Sequence, residues 1–178
     1  MLTFDRKRLY DAGAIAVMLG IAYALKRHYS SADAEALAWI LAPTAWLVEA
    51  LVGTPFVSER GVGYVNNGLR FAIAPSCAGV NFMIVAICAA TLGFVGQRRT
   101  LFGKIGFVLG SVPAAYVLAL TTNTLRITIA LFLQEHPLRL DALSSAQVHH
   151  AGGVVIYFAC LCLFYVIAER VTARVLST

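Results

Sequence analysis

"CAGVNFMIVAICAATLGFVG", residues 77–96, runs for twenty residues without a charged side chain. At about 1.5 Å of rise per residue a helix of that length reaches ~30 Å, the thickness of a bilayer's hydrocarbon core. The remainder of the chain agrees with that measure. Of its 178 residues 60% are hydrophobic and only 13% charged, and the mean hydropathy is +0.78. Such a balance belongs to an integral membrane protein rather than to a soluble domain. The formal charge of +5 and pI near 9.2 do not point to nucleic acid. In a membrane protein the basic residues sit in short flanking loops and set orientation, so the bilayer is the expected partner and no nucleic acid is.

Working outward, hydropathy marks five apolar regions, at residues 9–25, 35–53, 77–96, 104–133 and 148–168. The expected fold is an all-α polytopic membrane protein of about five to six transmembrane or re-entrant helices, a single integral membrane domain over residues 1–178. The first region ends in a small-x-small "AYA" of the kind a signal peptidase cuts, but "KRHYSS" follows at once and reads as the loop closing a retained span. The second carries Pro43 and Glu49. Proline is tolerated in membrane helices when neighbours satisfy the freed backbone group, and a glutamate near a helix end reaches the headgroup layer. The fourth is too long for one simple crossing, so "ITIALFL" is expected to continue as a tilted or re-entrant helix beyond the polar "TTNTLR".

Residues 54–76, "TPFVSERGVGYVNNGLRFAIAPS", break the helical pattern. Two β-leaning stretches flank "NNG", and Asn67-Gly68 suits a turn with positive φ at both central positions, so a short β-hairpin is expected. Open strand edges do not occur in lipid, so the hairpin is expected at an aqueous face or packed on protein, and the orientation of the basic loops makes that face extracytoplasmic.

Orientation follows from the basic loops. "QRRT" with Lys104, and the carboxy-terminal "ERVTAR", are expected in the cytoplasm. Region 77–96 then runs inward from Cys77, the fourth region runs outward to Asn123 and Arg126, and the last starts outside at His149. Placing the hairpin outside and "KRH" inside leaves "DRKR" outside, a conflict removed only if one of the first two regions lies along the surface.

Ionisable groups brought to one membrane depth by separate segments face a protein interior or a water-filled cavity, because they are costly in hydrocarbon. Four cysteines, Cys77, Cys88, Cys160 and Cys162, are too scattered for a disulfide framework, and no CxxC pair exists. Of these Cys77 stands apart. "PSC" opens a span with Pro75 and Ser76 as initiating residues, while Gly79 and Asn81 offer close backbone approach and an amide. A helix start, a nearby cation and partial exposure are the conditions that favour a reactive thiolate; without them the residue reads as a small inert apolar group.

Asn123 and Arg126 lie three apart and share a helical face. The arginine stays protonated and offers a fork of donors to a carbonyl, an oxyanion or a thiolate, or else reaches to headgroups. His149 and His150 open the last region, and an imidazole can take a thiol proton and later protonate a leaving amine. His149, Gly153 and Tyr157 fall four apart on one stripe, with His150 turned away. Adjacent helical histidines diverge and nothing else has ligand spacing, so neither a metal nor another cofactor is expected.

"PSCAG", "NTLR" and "HHAGG" in this order resemble the exosortase/archaeosortase family over roughly residues 40–168, and the short chain is similar to the small exosortase K branch. The resemblance implies a polytopic cysteine protease or transpeptidase of a prokaryote's inner (cytoplasmic) membrane, with its active site on the extracytoplasmic face. Its substrates would be secreted proteins bearing a carboxy-terminal sorting signal of short motif, transmembrane helix and basic cluster. It further implies Cys77 as nucleophile, Arg126 and His149 as its catalytic partners, and supporting roles for Asn123, Gly79 and His150. A Cys77 thioester would pass to an unknown acceptor nucleophile, or to water. The competing interpretation is a non-enzymatic small permease or assembly subunit whose polar path is lined by Arg126 and His149.

Overall fold

The computed structural model describes residues 2–135 and 145–177, with side chains over 6–134, 152–170 and at 172. Five α-helices carry the chain: α1 (Leu2–Ser31), α2 (Ala38–Val52), α3 (Val80–Phe94), α4 (Leu101–Glu135) and α5 (Ser145–Ser177). Between α2 and α3 lie three short strands, β1 (Val57–Glu59), β2 (Gly63–Asn66) and β3 (Phe71–Ile73). Segments Arg6–Ser31, Pro75–Gln97, Leu101–Gln134 and Gly152–Arg170 are long and apolar enough to cross a membrane, whereas the apolar α2 has only 15 residues. The protein is thus an all-α polytopic membrane protein with a small sheet, as its sequence leads one to expect. The long fourth region resolves into one uninterrupted helix of 35 residues that accommodates Pro113.

The chain forms two compact units, one made of residues 1–30, 80–118 and 161–178, the other of 31–79 and 119–160. In the first, α1, α3 and α4 meet through one side chain. Lys104, fully buried on α4, donates to Asp11 of α1 at 2.5 Å and to the Val95 carbonyl just past α3 at 3.0 Å. The opposite end of the same helices is tied by Lys26 Nζ, which donates to Asn81 Oδ1 at 3.0 Å. Phe94 stacks beside Tyr165 and Phe107, with centroids 5.1 and 6.5 Å apart.

In the second unit α2 ends at Gly53, whose left-handed φ of 75° lets its N–H reach the Glu49 carbonyl at 2.8 Å. Glu49 then receives the Phe56 N–H on Oε1 at 2.6 Å, so the side chain that stands out in an apolar helix anchors the chain entering the sheet. The sheet is an antiparallel meander in the order β1-β2-β3. Its register pairs Val57 with Val65 and Val65 with Ala72. The expected hairpin therefore gains a strand, because Gly61 with φ 75° folds "FVSERGVGYV" back on itself. The "NNG" turn also differs from a two-residue loop: Asn67–Arg70 connects β2 to β3, and the positive φ falls on Arg70 at 50°. Asn66 sets this geometry, accepting the Leu69 N–H on Oδ1 at 2.9 Å and donating to the Pro55 carbonyl at 2.8 Å.

Candidate active site

Cys77 is the last residue of a 3-10 turn, Pro75–Cys77, that follows β3. Proline's fixed φ suits the first position of such a turn, and Ala74 ahead of it is extended with ψ 170°. The Cys77 N–H donates to the Ala74 carbonyl at 2.8 Å and the Ala78 N–H to the Pro75 carbonyl at 3.0 Å. Gly79, with φ 68°, then redirects the chain before α3 begins at Val80. The thiol accordingly stands in the turn ahead of the helix and not in its first turn. It is half-buried and unbridged.

Asn123 and Arg126 project from one face of α4 toward this turn. Asn123 is fully buried, and its Nδ2 donates to the Cys77 carbonyl at 2.8 Å. A Cβ at position 79 would fall on that amide, so glycine supplies both the left-handed φ and the space. Arg126 Nη2 donates to Cys77 Sγ at 3.6 Å, and Nη1 donates to the Tyr157 hydroxyl at 3.1 Å. Tyr157 in turn donates to Asn123 Oδ1 at 2.5 Å, and its ring centroid lies 5.3 Å from the guanidinium carbon. A closed circuit results: Cys77 sulfur, Arg126, Tyr157, Asn123, Cys77 carbonyl.

Small residues on α5 admit the arginine stem. A Cβ at Gly153 would stand 3.4 Å from Arg126 Cδ, an ordinary contact with no room to spare. Beside it is a cavity of about 20 Å³, room for one water, between Arg126, Ile129, Ala130 and Leu133 on α4 and Gly152, Gly153 and Ile156 on α5. Among the described residues no group of three His, Cys, Asp or Glu side chains is placed to hold a metal ion.

Of the residues singled out by sequence, Cys77, Gly79, Asn123 and Arg126 meet directly. His149 and His150 lie in the backbone of α5, and their side chains fall outside the described residues. Tyr157 is the member that sequence reasoning left without a role, although it shares a stripe with Gly153. Chemically, an arginine is a permanent cation with donors only, so it can hold an anionic sulfur or an oxyanion but cannot accept the thiol proton.

The chain matches the family of transmembrane exosortases (Exosortase_EpsH) over residues 12–166. It belongs to the exosortase family. No curated protein and no solved structure gives a significant match. In this exosortase the matched residues take in the Cys77 turn, the Asn123–Arg126 pair and α5 through Tyr157, and the apolar helices make it an integral membrane protein.

Proposed function

We propose that this exosortase is a membrane cysteine transpeptidase acting on secreted proteins that carry a carboxy-terminal sorting signal. The observation that carries the proposal is the Arg126 Nη2 contact to Cys77 Sγ at 3.6 Å, inside a circuit that also fixes the Cys77 carbonyl. His149 takes the thiol proton. The Cys77 sulfur attacks the scissile carbonyl carbon, forming a C–S bond while the carbonyl electrons move to oxygen, where Arg126 offers a donor. Collapse of the oxyanion breaks the C–N bond, and the leaving amine collects the proton from His149. An acceptor nucleophile, giving its proton to His149, then attacks the thioester carbonyl; the C–S bond breaks, Cys77 leaves as thiolate and recovers that proton from His149.

Helix length supports a topology for this reaction. The 15-residue α3 is prolonged at both ends by 3-10 turns to the 23-residue apolar segment Pro75–Gln97, whereas the 15-residue α2, at ~1.5 Å per residue, spans about 22 Å, short of the ~30 Å hydrocarbon core, and is read as not crossing. Four crossings would leave "DRKR", "QRRT" and "ERVTAR" together on one side, read as the cytoplasm of a prokaryotic inner membrane, and would move "KRH", at the other end of α1, to the opposite side with the sheet. The sheet of residues 54–76 and Cys77 lie on the other, extracytoplasmic side of what works as a single membrane domain.

Co-expression with a secreted protein ending in a short motif, a transmembrane helix and a basic cluster tests the proposal. Wild type should release the carboxy-terminal helix, and a hydroxylamine-labile adduct should appear on Cys77. Cys77→Ser, inserted at wild-type levels, should do neither. Undiminished processing by that variant would sink the covalent mechanism, and mass spectrometry of the new carboxy terminus separates transfer from hydrolysis.

A further inference from the structure

We propose that Tyr157 is a positioning residue, holding the Arg126 guanidinium against the Cys77 sulfur. The inference rests on Cys77 being the nucleophile, but its test needs no substrate. It follows from counting donors and acceptors around the circuit. Arg126 has only donors to give. Asn123 has committed its Nδ2 to the Cys77 carbonyl, which leaves Oδ1, on a fully buried side chain, requiring a donor from elsewhere. A hydroxyl accepts and donates at once. Tyr157 accepts from Nη1 and donates to Oδ1, so two lines of donation leave Arg126, one straight to the sulfur and one through Tyr157 and Asn123 to the Cys77 carbonyl, and no donor faces a donor.

The consequence is orientation. A planar guanidinium held at two nitrogens, Nη1 by Tyr157 and Nη2 at the sulfur, has little freedom left to turn. Without the phenol oxygen the ring could keep its face toward the cation, but Nη1 would lose its fixed partner and the fork could swing away from Sγ. The Asn123 amide would lose the Tyr157 donor to Oδ1 at the same time, and with it the anchor of the hydrogen bond that sets the Cys77 carbonyl. Tyr157 therefore acts on the nucleophile from both sides, through Arg126 at the sulfur and through Asn123 at the Cys77 carbonyl.

The test compares alkylation of Cys77 by anionic iodoacetate and by neutral iodoacetamide, read on the Cys77 peptide of the full-length protein in detergent. A cation held at the sulfur favours the anionic reagent, so the ratio of the two rates reports where the guanidinium is, independently of overall thiol reactivity. Arg126→Gln should lower the ratio about five-fold or more, the scale expected for one unit charge at this range. Tyr157→Phe should lower it nearly as far with the folded state intact, whereas Phe158→Leu, on the exposed face of α5, should leave it unchanged. Should the Phe variant fail to fold, 4-aminophenylalanine at 157 keeps the shape and a donor for Asn123 while its conjugated nitrogen accepts poorly, and the ratio should fall by a smaller factor. A wild-type ratio in Tyr157→Phe beside a lowered ratio in Arg126→Gln overturns the positioning role. An unchanged ratio in both overturns the arginine–sulfur contact itself. A lowered ratio in Tyr157→Phe, together with full processing by Cys77→Ser, upholds the positioning role and overturns the covalent mechanism instead.

Discussion

Gly79→Ala is the perturbation whose consequences the structure fixes most closely. Two separable costs arise. The backbone at φ 68° is left-handed, which costs an alanine about 1–2 kcal/mol. The new methyl also falls on the Asn123 amide, and a displaced Nδ2 strands the Cys77 carbonyl, for a further ~1–3 kcal/mol. Together they come to roughly 2–5 kcal/mol, a large share of the ~5–15 kcal/mol that holds an ordinary domain. Denaturant unfolding in detergent micelles would measure the total, and a double-mutant cycle with Asn123→Ala would divide it. With the amide gone, Gly79→Ala should cost only its backbone part, giving a coupling of about 1–3 kcal/mol. An equal cost in both backgrounds would show that Asn123 does not occupy the space the glycine leaves, and the account of how the Cys77 carbonyl is held would be wrong. Gly79→Ala should also lower the iodoacetate preference of Cys77, because Asn123 and Tyr157 move together.

Asp11→Ala strands the fully buried Lys104 with one carbonyl, and the unfolding free energy should drop by ~3 kcal/mol or more. Replacing both partners, Asp11→Leu with Lys104→Met, should recover most of that loss in the same unfolding assay. Thr91 is fully buried in α3 and its hydroxyl has no hydrogen-bond partner among the described residues, so Thr91→Val should be neutral or stabilising by up to ~1 kcal/mol, read as an unchanged or raised Tm.

The helices were legible because hydrophobic length is a property of contiguous residues: "CAGVNFMIVAICAATLGFVG" announces a span with no help from the fold. The sheet was legible in kind and not in detail. "FVSERGVGYV" reads as one β-leaning stretch, and only the left-handed Gly61 reveals that it is two strands. Likewise Asn67-Gly68 has the composition of a tight turn, but Asn66 captures the Leu69 N–H and opens the loop to four residues. At the site, Cys77, Asn123 and Arg126 could be named because each is unusual in an apolar setting. Tyr157 could not, since a tyrosine in "VVIYF" is ordinary for a membrane helix, and its value comes from partners 31 and 34 residues away. Glu49 shows the reverse: an acid in an apolar helix attracts suspicion, and its observed task is to receive the Phe56 N–H.

For the proposed mechanism, in which a histidine takes the thiol proton, helical phase on α5 predicts which of the two it is. Residues advance ~100° around a helix at each step, so positions i, i+3, i+4 and i+7 share a face. Gly152, Gly153 and Ile156 line the small cavity beside Arg126, and position 149 completes that series. Position 150 shares only Gly153 with that lining and otherwise runs with Val154, which is 56% exposed, and with Tyr157, which lies between the two faces, four-residue steps from 149 and seven residues from 150. The base that works across the cavity, where a substrate carbonyl could reach Arg126, is therefore expected from 149. His149→Ala should reduce processing by about 10²-fold or more, the usual scale of a lost general base, whereas His150→Ala should stay within a few-fold of wild type. Both variants should keep the iodoacetate preference of Cys77, because Tyr157 holds the guanidinium. If His150→Ala proved the inactive one, the reacting carbonyl would approach from the Tyr157 side of the arginine, and the cavity between α4 and α5 would have no part in the reaction.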